Sequence, residues 1–200
     1  MDTQTARPRV RYYAAQSLDG YLAASDHTID WLTGYTGHPA QGEPLDGDFE
    51  RFSADVGTWV MGARTYEFLL AEEGTWSAWP HRDGTTWVLT HRRFPVPDGA
   101  DVRLTDRPAR DVVREALEGA TEDVWVVGGG PVAQDLLDAG LLDTVEVTVV
   151  PVVLGSGIPL FSGSVLEPLV LERVRPFDNG MVQLCYRVPR PAGAGAGGAG

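Results

Sequence analysis

Trp125-Val126-Val127-Gly128-Gly129-Gly130-Pro131-Val132 is the stretch on which the reading of this chain turns. An apolar run ends in three glycines, and an amphipathic segment opens beyond them. A strand that turns directly into a helix leaves backbone N–H groups and the positive end of the helix dipole at the turn, where a phosphate can be received. Three successive glycines add conformations and a closeness of approach that side chains would block. Upstream, Val60-Met61-Gly62-Ala63-Arg64-Thr65-Tyr66-Glu67 repeats the arrangement with one glycine. Neither turn is Gly-x-Gly-x-x-Gly, so the usual Rossmann fingerprint is absent. A run of glycines between strand and helix can also be no more than a tight turn. The pairing of two such turns in one chain is what points to a dinucleotide held between two helix N-termini, and hence to a cofactor-using enzyme.

Bulk properties narrow the partners. Two hundred residues, 43% hydrophobic and 22% charged, suit one domain with a substantial core. A formal charge of -12, with no run among the 16 basic residues, argues against nucleic acid. All 16 are arginine. Lysine chemistry, Schiff bases included, is therefore unavailable, and charged contacts to a phosphate must come from arginine or protonated histidine. The one cysteine, Cys185, rules out an internal disulfide and a multi-cysteine metal site, and packing is its expected role. No signal-like start and no 18-residue apolar segment occur, so a cytoplasmic protein without a membrane partner is expected.

Strands and helices alternate along the chain, the pattern of an α/β domain with parallel crossovers. Strands are expected at 10–15, 58–61, 87–90, 102–104 and 124–127, with helices at 64–70 and 108–117 and another between Pro131 and Gly140. Phe49, Phe52 and Val56 mark one face of a further short helix. The connector from Gln16 to Gly47 is too long for an ordinary loop and suggests a functional one. From Thr144 only strands follow: 144–153, 168–174 and 181–188, the last two joined around Asp178-Asn179-Gly180 as an antiparallel hairpin. The Ala/Gly-rich end cannot bury enough surface to offset its ordering entropy. The expected organisation is an extension at 1–8, one domain at 9–188 and a disordered tail at 189–200.

Four segments together resemble the dihydrofolate-reductase-like superfamily. They are Ala15-Gln16-Ser17-Leu18-Asp19-Gly20-Tyr21, Met61 to Glu67, Val127-Gly128-Gly129-Gly130, and Pro151-Val152-Val153-Leu154-Gly155-Ser156-Gly157-Ile158-Pro159-Leu160-Phe161. They resemble most the reductase domain of the riboflavin-biosynthesis deaminase/reductase and its stand-alone relatives. The resemblance implies a three-layer αβα fold with a mixed, mostly parallel sheet. It also implies NADPH lying across that sheet, its pyrophosphate at Gly62, Ala63, Arg64 and Thr65 and at Gly128, Gly129, Gly130, Pro131 and Val132. Thr90, His91 and Arg92 resemble the loop that holds the adenosine 2′-phosphate, where Arg64 would add a second guanidinium. Arg92 and Arg93 can equally be a solvated loop. Ala15 and Gln16 match the backbone contact to the nicotinamide carboxamide, and 16–31 resembles a lid over it. A homodimer is also implied.

Hydride transfer to C=N or C=O needs a proton at the heteroatom. In the folate enzymes an acid on the first helix supplies it, which here offers Asp46, Asp48 and Glu50. Asp48 is preferred because it precedes core-facing Phe49; the competing reading is a helix N-cap. Thr148 matches a threonine that orients that acid, and Trp31 a tryptophan beside the substrate. Asp19-Gly20 reads as a turn device. Tyr21 and Val127 depart from the riboflavin reductases, which usually carry Lys and Glu there. The riboflavin-pathway substrate is thereby put in doubt. Two functions stay open: an NADPH-dependent reductase of a small pterin-like or pyrimidine-like conjugated heterocycle, and a catalytically silent nucleotide-binding module of the same fold.

Overall fold

Alternation in the central strands dictates two buried faces. In the computed structural model, which describes residues 7–45, 47–72, 84–163 and 168–190, the chain runs β1 (Val10–Ser17), β2 (Tyr21–Ala23), α1 (Asp30–Thr33), α2 (Asp48–Ser53), β3 (Val56–Gly62), α3 (Ala63–Glu72), β4 (Thr85–Leu89), β5 (Asp101–Thr105), α4 (Ala109–Leu117), β6 (Asp123–Gly128), α5 (Gly130–Asp138), β7 (Thr144–Val150), β8 (Ile158–Pro159), β9 (Val170–Pro176) and β10 (Val182–Arg187). Eight strands form one sheet in the order β5-β4-β3-β6-β1-β7-β10-β9. The ladders from β5 to β7 are parallel, and β10 pairs antiparallel with both β7 and β9. This is the expected α/β fold with its C-terminal antiparallel hairpin.

Val10, Tyr12, Val60, Val124, Val126 and Val145 point to one face, where α4 and α5 supply Val112, Val113, Ala133 and Leu136. Trp59, Met61 and Trp125 point to the other, under Phe52 of α2 and Tyr66 of α3. Every parallel crossover moves along the sheet in one direction on the α3 face and in the other on the α5 face, as right-handed connections require. From neighbouring β3 and β6 the chain therefore departs in opposite directions. Such a reversal of strand order opens a crevice outside the strand ends, where open α/β sheets bind ligands.

Two expectations are corrected. Val56 opens β3 instead of extending α2, because the helix ends at Ser53. Phe49 is 43% exposed, while Asp48 and Phe52 point inward, a one-residue rotation of the expected face. The 16–47 connector is partly structured: Tyr21 and Ala23 of β2 pair with β8, and Glu43 bridges Phe177 at the hairpin. The expectations for 1–6, for Asp46 and for 191–200 fall outside the described residues.

Candidate active site

The two glycine turns meet at the crevice between β3 and β6. Met61 is in register with Gly128, so the starts of α3 and α5 lie side by side. A Cβ on Gly128 would stand 3.0 Å from Thr65 Oγ1, and one on Gly130 would stand 2.7 Å from the Pro159 carbonyl oxygen. At Gly130 the backbone of β8 comes too close for a side chain, and at Gly128 Thr65 would have to shift to admit one. Gly129 adopts φ +95° before α5, a conformation that L residues resist, and no side chain caps that helix. In its first turn Pro131 has no N–H, and the Val132 N–H donates to the Gly129 carbonyl oxygen at 3.0 Å.

β1 supplies the next part of the wall. It runs to Ser17, but its ladder with β6 stops at Tyr12, so the edge of Ala14, Ala15 and Gln16 faces the crevice on that side. An apolar cavity of about 430 Å³ follows, lined among others by Tyr13, Ala15, Leu32, Phe68, Trp125 and Ile158, with Arg64, Thr65, Gly128 and Gly129 at the end nearest the two helix starts. His27, on the turn between β2 and α1, also lines it and takes φ 71°. That turn is tied by Asp26, whose carboxylate accepts from the Thr28 backbone N–H at 3.0 Å and the Thr28 hydroxyl at 2.7 Å. Sequence reading missed His27; the turn residues Asp26 and Thr28 are the signal that could have flagged its position.

Arg64 and Arg92 are brought together by Glu67 on α3, at 3.8 Å and 2.6 Å. The Thr90 hydroxyl accepts from the Arg92 backbone N–H at 2.9 Å, whereas His91 is exposed and 3.9 Å from Asp106. Asp19 ties the loop after β1 to the loop after β7. Its carboxylate accepts from the backbone N–H groups of Leu154 and Gly155 at 3.1 and 2.7 Å and from the Ser17 hydroxyl.

The residues expected to act on substrate are placed differently. Asp48 does not line the apolar cavity. It belongs to a second, polar cavity of about 510 Å³ on the same sheet face, with Arg11, Glu146, Arg175 and Gln183. Gly47, not Asp48, is the N-cap of α2, and no side chain caps the helix. The Asp48 carboxylate accepts from Arg175 Nη1, from Gln183 Nε2 at 3.0 Å and from the Tyr13 hydroxyl at 3.1 Å. Burial opposes its ionisation, but the hydrogen bond and charge of Arg175, helped by Tyr13 and Gln183, hold its pKa below the ordinary 3.8. It is a carboxylate at neutral pH. Burial, then the charge and hydrogen bond of Asp48, raise the Tyr13 phenol well above its ordinary value. Thr148 is buried in register with Ala15 and Gln183, yet it makes no hydrogen bond to Asp48 among the described residues. Trp31 packs with Val150, Phe177 and Met181, its Nε1 buried without a hydrogen-bond partner among the described residues.

Against known proteins, residues 8–183 match the RibD C-terminal domain family. The chain belongs to that family of reductase domains. It is 32% identical over 175 residues to the uncharacterized protein YwjB of Bacillus subtilis (strain 168), covering 87% of this chain and 94% of that protein. A Shewanella sp. PV-4 protein assigned to riboflavin biosynthesis superposes with TM-score 0.74 at 25% identity, covering 91% of this chain and 99% of that one. Dihydrofolate reductase of Enterococcus faecalis, complexed with NADP(H) and RAB-propyl, shares the fold with TM-score 0.56 at 19% identity, over 90% and 96% of the two chains. No described helix is long and apolar enough to cross a membrane.

Proposed function

We propose that the protein is an NADPH-dependent reductase of a small conjugated heterocycle. The observation that carries this reading is the junction of two adjacent glycine-led helix starts with an apolar, aromatic-walled cavity at the strand-order reversal. The residues present fit a dinucleotide. Gly62 to Thr65 and Gly128 to Val132 would hold its pyrophosphate on backbone donors, and Ala15 and Gln16 would meet its carboxamide. Arg64 and Arg92, joined by Glu67, with Thr90 and His91 beside them, would receive the 2′-phosphate that distinguishes NADPH from NADH.

When bound, NADPH supplies a hydride. The chain contributes an apolar enclosure that excludes water and a wall that orients a flat ring. Tyr13 stays a neutral phenol whose proton is engaged by Asp48. The proton that accompanies reduction therefore comes from water admitted to the cavity or from His27 on its rim. Asp48, in this reading, positions Tyr13. The test is substrate-dependent loss of NADPH absorbance with dihydrofolate, dihydrobiopterin and the riboflavin-pathway ribosylaminopyrimidine. Turnover of any one supports the reading.

A second reading, a nucleotide-binding module without turnover, is favoured by the ion pair that engages Asp48 away from the cavity. NADPH binding with no consumption across a broad heterocycle panel would select it. We further propose a homodimer. Strand β9 is a sheet edge whose Val170, Leu171 and Val174 are about half exposed, a surface that a second copy would cover. A monomeric mass by light scattering at micromolar concentration would refute it.

A further inference from the structure

Tyr13 lines both cavities, whereas Asp48 lines the polar one alone. The phenol is fixed on three sides. Its ring stacks on Phe52 with centroids 4.1 Å apart, meets Trp125 edge-on at 6.2 Å, and its hydroxyl donates to Asp48. Asp48 is itself fixed by Gln183 and by Arg175, and Arg175 also donates to Gln183 Oε1 at 3.0 Å. The ring is thus a wall that this network braces from behind. Resting on the proposed reductase reading, we propose that Tyr13 is a specificity-determining partition: it screens Asp48 from the apolar cavity, so that the cavity selects flat, uncharged heterocycles and gives no carboxylate anchor to amino-substituted, cationic ones.

The chemistry follows from what each side could offer. A buried carboxylate open to the cavity would bind an amidinium-like edge through two N–H donors, a charge-assisted bidentate contact. Behind Tyr13, Asp48 has both oxygens engaged by protein donors. Among the described residues that line the apolar cavity none is acidic, and its one arginine, Arg64, stands at the helix-start end and is paired with Glu67. A cationic ring entering there would lose hydration without gaining a counter-ion.

Two probes of one shape test the partition, an aryl-substituted 2,4-diaminopyrimidine and the same molecule without its amino groups. Binding is read by Trp125 fluorescence, since the indole lines the cavity, and checked with a Trp125→Phe control. The native protein should bind the uncharged probe at least as tightly as the diamino probe, and Asp48→Asn should leave both dissociation constants within about twofold. Tyr13→Ala should create a preference of about tenfold or more for the diamino probe, abolished in Tyr13→Ala/Asp48→Asn, while Tyr13→Phe keeps the native order. A native preference for the diamino probe that Asp48→Asn removes would overturn the partition, as would failure of folded Tyr13→Ala to gain one. Should Tyr13→Ala not fold, native protein against Asp48→Asn decides alone. Binding of neither probe would overturn the cavity as an aromatic site. Selective binding without turnover of any heterocycle would instead leave the partition standing and remove the reductase reading.

Discussion

The two cavities that share Tyr13 lie on one face of one sheet and are built from opposite materials. Toward the strand C-termini the walls are aromatic and aliphatic, the backbone is bare at glycine, and little polar surface is offered. Across β1, toward the hairpin edge of the sheet, Arg11 of β1, Glu146 of β7, Gln183 of β10 and Arg173 and Arg175 of β9 line the second cavity, where Arg11 pairs with Glu146 and Arg175 pairs with Asp48 and Glu43. A charged group inside a fold is tolerated only when paired, and a fully paired network has little capacity left for a ligand. The apolar region is the reverse case: its unused surface gains by covering a flat guest. Ligand capacity therefore belongs to the first region and rigidity to the second, with one ring as their common wall.

The strongest way to break this division is to remove Asp48. Its loss leaves Arg175 with Glu43 as its remaining carboxylate and frees the Tyr13 hydroxyl, and breaking a buried pair of this kind costs about 3–5 kcal/mol. Asp48→Ala should lower unfolding free energy by about that amount in urea titration while moving NADPH affinity less than about twofold. Because the folded-state pKa of Asp48 is depressed, its contribution is present at and above the ordinary carboxylate range. It is lost as pH falls through and below 3.8. The native protein should thus lose more stability between pH 5 and acid than Asp48→Asn does. A large NADPH defect in Asp48→Ala with unchanged stability would reverse the roles of the two regions.

The sequence carried these regions unequally. Gly62 and the three glycines at 128–130 were legible because a strand, a side-chain-free turn and a helix start are neighbours in the chain. The hairpin around Asn179-Gly180 was legible for the same reason. The polar cavity was not: Arg175 stands 127 positions from Asp48, and nothing local to either residue announces the other. Hydrophobic spacing then misled the reading of α2. Phe49, Phe52 and Val56 repeat at helical intervals, but the chain leaves the helix at Ser53, and Asp48, whose charge Arg175 neutralises, takes the inward position. Tyr13 falls within the expected first strand; that it divides two cavities depends on α2 above it, which no pattern within β1 encodes.

The end of the apolar region nearest the helix starts, where NADPH is proposed to lie, offers a smaller effect that sharpens the comparison. Arg64 is mostly exposed and its pairing with Glu67 is loose, so a phosphate can recruit it without breaking a tight contact. Arg64→Ala should weaken NADPH far more than NADH, by on the order of 1.5–3 kcal/mol for one charge-assisted contact. Isothermal titration with both cofactors reads this directly. Equal losses for the two would move the 2′-phosphate away from the Arg64 and Arg92 pair.

The mildest expected effect is at Phe68, which lines the apolar cavity from α3 and is 40% exposed. A side chain kept half in water contributes little to the core, and substitutions at such positions usually shift stability by less than about 1 kcal/mol. Against a flat guest the same ring gains a stacking or edge contact worth about 0.5–1.5 kcal/mol. Phe68→Ala should therefore raise the dissociation constant of an aromatic ligand about 3- to 10-fold while leaving the urea midpoint nearly unchanged, the inverse of the Asp48→Ala profile. A stability loss as large as that of Asp48→Ala, with ligand affinity intact, would mean that Phe68 belongs to the core and that the guest lies elsewhere in the crevice.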